Sequence, residues 1–322
     1  PLPRLPSLGP IRSRLVRAVV VVNPNATTVR HASRDVLVAA VASAADVTVL
    51  TTTHRHHALE IAAQARDDGV GAVIAYGGDG TVNEVVNGVL HAGPGPRVPL
   101  VGVVPAGSAN VFARNLGLPA DPVRATERLL RALARPARSR TIGLGRANGR
   151  WFTYNAGLGL DADTVHGVEQ ARHRGKRATS GLYLRSAVRA YLASDRAVPM
   201  VTAELPGGEL TPEMFLAFVT NSSPWTYLGR VGVRTAPRSS FDAGLDLVGA
   251  TSLSIVRLAK HAGEVLLTRR GVRGPDTVHR HDLPWLTLHA ADPVSVQVDG
   301  EYLGTTQHLE CVAVPRALGV LA

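Results

Sequence analysis

Gly77-Gly78-Asp79-Gly80-Thr81-Val82-Asn83-Glu84 is the stretch that decides the fold. Ahead of it runs Ala72-Val73-Ile74-Ala75-Tyr76, short and β-branched like a buried strand. Behind it, Val82, Val85, Val86 and Val89 recur at the spacing of one helical face. The stretch therefore reads as strand, glycine loop, helix. Glycines let backbone N–H groups approach a ligand with no Cβ in the way. The helix start adds unpaired N–H groups and a positive dipole end, a ready phosphate site. Asp79 makes sense beside phosphates when a Mg²⁺ ion or a moving proton lies between them. The plainer reading is a turn that binds nothing, with Thr81 as N-cap and Glu84 three residues on as a capping box. Neither the P-loop nor the G-x-G-x-x-G fingerprint is present.

Outward from this loop, strands and helices alternate. Ala18 to Val22 is a buried strand running into the turn Asn23-Pro24-Asn25-Ala26-Thr27. A helix is expected from about Ser33 to Ala45, a strand at Val47 to Leu50 closing on Thr53, and a helix from Ala58 to Arg66. Leu100 to Val104 is a fourth strand, followed by Gly107-Ser108-Ala109-Asn110 and a helix ending at Gly117, then a helix from Val123 to Ala134. Alternation of this kind means a mainly parallel α/β sheet. Its ligands sit at the C-terminal strand ends, where Asn23 to Thr27, Thr53, Gly77 to Glu84 and Ser108 all fall.

Beyond about Arg138 short β-like runs dominate: 151–156, 200–204, 215–221, 245–250, 285–289 and 294–298. Helical stretches are expected near 180–193 and 255–268. The fold class is thus α/β: an N-terminal, mainly parallel three-layer domain (18–138, with 308–322 returning to it) and a C-terminal, mostly antiparallel, β-sandwich-like domain (139–307). Residues 1–17 read as a basic, proline-rich tail outside the fold. Asp299-Gly300 between β-like runs is a strong hairpin signal. Glu301 beside it is not needed by a hairpin, and a carboxylate at a turn tip can accept a hydroxyl proton.

The chain's 322 residues carry 45% apolar and 19% charged side chains, enough for large cores and against disorder. Its net charge of +10 points to an anionic partner: nucleotide phosphate, an acidic membrane surface or nucleic acid. At 4% aromatics, a base-stacking platform is disfavoured, and no nucleic-acid partner is expected. Cys311 is the single cysteine, which excludes an intrachain disulfide and fits a reducing compartment. No uncharged apolar run reaches spanning length. Histidines 54, 56, 57, 279 and 281 read as surface residues rather than zinc ligands.

Residues 77–89, followed by Pro105-Ala106-Gly107-Ser108-Ala109-Asn110-Val111-Phe112-Ala113-Arg114-Asn115-Leu116-Gly117, resemble the diacylglycerol kinase catalytic-domain family. That family includes bacterial soluble lipid kinases and the diacylglycerol, ceramide and sphingosine kinases. Tyr154 to Ala162 and Asp299-Gly300-Glu301 continue the resemblance, which covers about Val19 to Val314. It implies ATP and Mg²⁺ in a cleft between two domains and a membrane lipid as acceptor, diacylglycerol first. Nucleotide contacts would come from Asn23, Pro24, Asn25, Ala26, Thr27, Thr53, Gly77 to Glu84 and Ser108. Asp79 would act through metal and phosphates, and Glu301 as general base. The family's second metal segment, Asp-Asp-Gly-x-x-Asp, is replaced by Phe241-Asp242-Ala243-Gly244-Leu245-Asp246, leaving Asp242 and Asp246 as candidates. The expected place is cytoplasmic and peripheral to the membrane, docked through 172–177 and 182–184, with room for a homodimer. Competing readings are a sphingoid-base or monoacylglycerol kinase, a kinase of a soluble acceptor like the NAD kinases, and a non-catalytic lipid- or nucleotide-binding module.

Overall fold

The computed structural model describes residues 16–26, 31–173, 200–254 and 271–322, with 256–257, 260–261 and 263–264. Four strands, β1 (Arg17–Val22), β2 (Asp46–Thr51), β3 (Ala72–Gly77) and β4 (Leu100–Pro105), pair in parallel in the order β2-β1-β3-β4. β1, β3 and β4 are apolar on both faces because helices cover both. Val19, Val21, Val73, Ala75, Val101 and Val103 pack with α2 (His57–Asp67), α3 (Asp79–Val89) and α4 (Val111–Asn115). The alternate residues Ala18, Val20, Val22, Ile74 and Tyr76 pack with α1 (His31–Ala42) and α5 (Pro122–Leu133). A two-residue period feeding two opposite cores is the mark of a buried parallel sheet. The three layers expected from the alternation are present.

β2 is the exposed edge, and its register with β1 runs from Arg17↔Asp46 to Val22↔Thr51. Helices α2 and α3 approach closely at Gly88, where an added Cβ would lie 2.3 Å from the Leu59 carbonyl oxygen. Glu84 does not serve a capping box with Thr81. The N-cap of α3 is Gly78, and the Glu84 carboxylate accepts from His56 N (3.1 Å) and Ala58 N (3.2 Å) at the start of α2.

The C-terminal half is antiparallel: β5 (Arg140–Ala147), β6 (Arg150–Phe152), β7 (Asn155–Gly159), β8 (Val201–Leu205), β9 (Glu209–Leu210), β10 (Leu216–Thr220), the separate hairpin β11 (Thr226–Leu228) and β12 (Val231–Val233), then β13 (Leu245–Ala250), β14 (Thr277–Leu283), β15 (Trp285–Val298) and β16 (Glu301–Leu321). The runs 285–289 and 294–298, read from sequence as two strands, are one strand broken by a register shift between His289 and Val294. Alternation lapses at Ala290-Ala291-Asp292-Pro293, so pattern alone divides it. Strands β5 and β14 and helix α6 (Leu160–His173) go beyond the runs expected from the pattern.

β16 joins the halves. It pairs with β15 and β5 antiparallel, and its last residues pair with β4 in parallel at Val320↔Val101 and Leu321↔Gly102. One hydrogen-bonded sheet of 14 strands therefore crosses the molecule. The helix expected at 180–193 lies outside the described residues, and the one expected near 255–268 is described in part.

Candidate active site

Parallel strands ending at one edge bring four loops together. Val22 stands beside Thr51 and Tyr76, and Gly77 beside Pro105. The ladders run on into the loops: Asn23 N donates to Tyr76 O (3.0 Å), Thr52 N to Val22 O (2.9 Å) and Ala106 N to Gly77 O (2.9 Å). Gly78 and Gly107 touch backbone to backbone. A Cβ built on Gly107 would sit 2.7 Å from the Gly78 Cα. Glycine at both positions is thus the steric condition for the two loops to meet.

Asn23 fixes the first turn. Its Nδ2 donates to Thr81 Oγ1 (3.0 Å), and its Oδ1 accepts from Asn25 N (2.9 Å), an Asx turn. Pro24 and Asn25 are exposed, Ala26 is half-buried, and Thr27 lies outside the described residues. Asn23, Asn25, Thr53, Thr81 and Glu84 line one cleft of about 240 Å³ with Thr52, His54, Arg55 and Ala58. Ser108 lines a different cleft, about 590 Å³, with Gly107, Asn110, Arg114, Tyr227 and Arg230. There the Arg114 guanidinium lies 3.3 Å over the Tyr227 ring. Val82 and Asn83 are buried and face inward.

Asp79 opens α3 and is half-buried. Its Oδ1 accepts from Phe112 N (3.1 Å) at the start of α4. Burial pushes the carboxyl up to about 6. The backbone N–H groups of Val111, Phe112 and Asn110 pull it back in part, and the charge of Asp299 pushes it further up. Among the described residues no side-chain cation pairs with it.

The opposite wall is the β15–β16 hairpin. Asp299 (φ 48°) and Gly300 (φ 74°) are its two central residues, both left-handed as a type I′ turn demands. Asp299 is no passive turn residue. It is buried, and its carboxylate accepts from Thr153 N (2.7 Å), Thr153 Oγ1 (2.9 Å), Tyr154 N (3.0 Å), Asn155 N (3.1 Å) and Asn83 Nδ2 (2.8 Å). Burial pushes this carboxyl up, and those N–H bonds counter it. Asn83 and Asn87, one helical turn apart, also both donate to Trp151 O at 3.0 Å. The asparagines of Val-Asn-Glu-Val-Val-Asn thus tie α3 to β6 and to the hairpin.

Glu301 follows the turn, half-buried, with Oε1 paired to Arg55 and Oε2 to Arg150. Arg150 NH2 also donates to Asn83 Oδ1 (2.9 Å). Since Arg55 lines the smaller cleft, the pair sets a carboxylate from the far end of the chain at the edge of that cleft. Arg55, Arg150, Asn87 and the buried role of Asp299 are not legible in the local pattern. Each acts through a partner distant in sequence.

The two remaining metal candidates have partners of their own. Asp242 pairs with Arg140 (2.7 Å), while Asp246 is buried and held by Ser239 Oγ (2.9 Å), His281 Nδ1 (2.6 Å) and Asp282 N (3.1 Å). Alanine at 243 removes the intervening acid. Among the described residues no group of three or more His, Cys, Asp or Glu is arranged to hold a metal. His54 and His57 stack at 4.5 Å and bond to Thr53.

A parallel sheet with a glycine loop at its strand ends, faced by a carboxylate on a hairpin tip, is the plan of an α/β phosphotransferase. The model of the diacylglycerol kinase catalytic domain matches residues 17–142. A diacylglycerol kinase of Bacillus subtilis is 30% identical over 243 residues, covering 72% of this chain and 71% of its own. A protein of Chromohalobacter salexigens named "Probable lipid kinase YegS-like" is 29% identical over 250 residues, covering 76% and 73%. A crystal structure of a diacylglycerol kinase from Bacillus anthracis superposes with a TM-score of 0.71 at 19% identity, covering 96% of this chain and 98% of that one. The chain belongs to the diacylglycerol kinase catalytic-domain family and is a lipid kinase.

Proposed function

We propose that the chain transfers the γ-phosphoryl group of ATP to the hydroxyl of diacylglycerol at an acidic membrane surface, giving phosphatidic acid and ADP. The observation that carries this is Glu301, set by Arg55 at the edge of the cleft formed by Asn23, Thr53, Thr81 and Glu84. The phosphates suit the start of α3, where a Cβ built on Gly80 would meet nothing within 4 Å and the backbone is open to a ligand. Arg150 Nε is buried without a partner beside Glu301, an orphan donor that fits an anionic ligand. Asp79, a carboxylate served by backbone N–H groups, fits a Mg²⁺ ion bound by one protein carboxylate and by phosphates. When bound, that ion would offset charge on the β- and γ-phosphate oxygens.

Glu301 takes the proton from the lipid hydroxyl. The hydroxyl oxygen forms the new bond to the γ-phosphorus while the bond from that phosphorus to the β-phosphate oxygen breaks. The proposed docking is peripheral. Among the described residues no helix is long and apolar enough to cross a membrane. Of the basic segment expected to touch the surface, 174–177 and the apolar 182–184 beside it lie outside the described residues.

The test is transfer of labelled γ-phosphate from Mg·ATP to lipids in acidic vesicles. Diacylglycerol is expected to be labelled, and Glu301→Gln to lower the rate by roughly 10²–10⁴-fold, the usual weight of a general base. Labelling of a sphingoid base, monoacylglycerol or a soluble acceptor instead would move the substrate and leave the kinase.

A further inference from the structure

The two arginines on Glu301 are not equivalent. Arg150 begins β6, its side chain is 22% exposed, and it is braced by Asn83 within the Asp299 network. Arg55 stands on the loop between β2 and α2 with its side chain 52% exposed, on the cleft side. Its backbone is pinned, since the next residue, His56, donates its N–H to Glu84. The loop backbone is therefore held, while the Arg55 side chain reaches from it into the solvent-facing side of the cleft.

Between them the two guanidiniums take both oxygens of Glu301. A carboxylate engaged on both oxygens is poorly placed to accept a hydroxyl proton. A terminal phosphate carries more charge than a carboxylate and matches the guanidinium fork equally well. Arg55 already lines the cleft with Asn23, Thr53 and Thr81, where such a phosphate would enter.

We infer that Arg55 is exchanged between two anions, pairing with Glu301 in the nucleotide-free chain and with the terminal phosphate of ATP in the loaded one. Binding of the nucleotide then frees Glu301 Oε1, while Arg150 keeps the carboxylate in place. The γ-phosphate, absent from ADP, is what releases the base, so the proton acceptor is exposed only when there is a phosphoryl group to transfer. The inference rests on the reading of the cleft as an ATP site. It adds a role for Arg55 and an order of events.

The exchange makes a prediction that runs against the usual effect of removing an active-site charge. If Arg55 must leave Glu301 to bind ATP, weakening the Arg55–Glu301 pair should tighten ATP binding. The experiment is calorimetric binding of the β,γ-imido analogue of ATP and of ADP, with Mg²⁺, to the full chain. The variants are Arg55→Gln, Glu301→Gln and the double substitution, each checked for native unfolding temperature. Arg55→Gln should weaken the ATP analogue about tenfold or more, the weight of one charge-assisted contact, and change ADP little. Glu301→Gln should tighten the ATP analogue several-fold and leave ADP unmoved. In the double variant that gain should vanish, because the residue that profits from it is gone.

Unchanged or weaker binding of the ATP analogue by Glu301→Gln overturns the exchange. So does an equal loss of both nucleotides in Arg55→Gln, which would mark Arg55 as a structural prop. A native chain that binds no nucleotide removes both the kinase reading and the exchange. A complete binding cycle with no lipid labelled keeps the exchange and removes only the proposed acceptor.

Discussion

Asp79, Asp299 and Glu301 are three carboxylates placed in three different ways, and their partners divide the work. Asp299 spends its oxygens on backbone and side-chain N–H and O–H groups and builds the wall. Glu301 faces two guanidiniums. Among the described residues Asp79 meets backbone donors at the start of α4, and burial raises it from 3.8 to about 6. A carboxyl raised on folding binds more protons in the native state than in the unfolded one. Stability therefore falls as pH rises between those two values, and the full cost, about 3 kcal/mol at most, is present above about pH 6. Asp79→Asn should accordingly abolish phosphoryl transfer while raising the unfolding temperature by a few degrees at pH 8. The gain should shrink through pH 5 and disappear below about pH 4. Thermal unfolding at those three pH values checks it, and a native chain more stable than the variant at pH 8 would contradict the burial argument. A carboxylate that costs stability on folding fits a site built for charge on its ligand.

At the scale of elements, α3 touches everything the site depends on, and its glycines differ in what they do. Gly88 is a packing glycine: a Cβ there meets the Leu59 carbonyl oxygen and the Ala62 side chain. Gly88→Ala should cost about 1–3 kcal/mol by overpacking although alanine is the better helix former, as read by urea unfolding. Gly80 has nothing within 4 Å of an added Cβ. Gly80→Ala should leave stability unchanged or slightly higher and weaken nucleotide binding, because the space it fills is where the proposed site puts the approach to the phosphates. A Gly80→Ala chain with native affinity would place the phosphates elsewhere.

This helix also shows how far the sequence could be read. Its valines at one-face spacing gave the element, and the apolar run before it gave the strand. The parallel sheet follows from repetition of that unit. Glu84 could not be assigned from its spacing to Thr81, because its partners are the N–H groups of α2. The clamp made by Asn83 and Asn87 is equally hidden, since two polar residues at helical spacing look like a solvated face until β6 is laid against them. Local pattern predicts what a segment is, while the pairing of Arg55 with Glu301 belongs to the tertiary fold.

At the scale of the whole molecule, β16 links the chemistry to the core. It starts at Glu301 on the cleft edge and ends at Leu321 beside β4. Between them lies Cys311, buried on the strand's paired stretch, its thiol pushed up to about 12 by burial, so it is inert while the sheet is closed. Further along, Leu318 and Val320 are buried in the core shared with Val101, Val103 and Phe112. If the strand makes the two halves one cooperative unit, a cavity at its far end must speed exposure of the thiol in its middle. Leu318→Ala should cost about 2–5 kcal/mol. It should raise the rate of Cys311 labelling by a disulfide reagent by the same factor as the rate of global unfolding followed by tryptophan fluorescence. Labelling that keeps pace with unfolding, both in the native chain and at the raised rates of Leu318→Ala, makes β16 a single structural spine, through which a change at the core reaches the position of Glu301. Thiol labelling that outruns the fluorescence change, or that ignores Leu318→Ala, would mean that the antiparallel half opens by itself, and Glu301 would then owe its position to the Asp299 network alone.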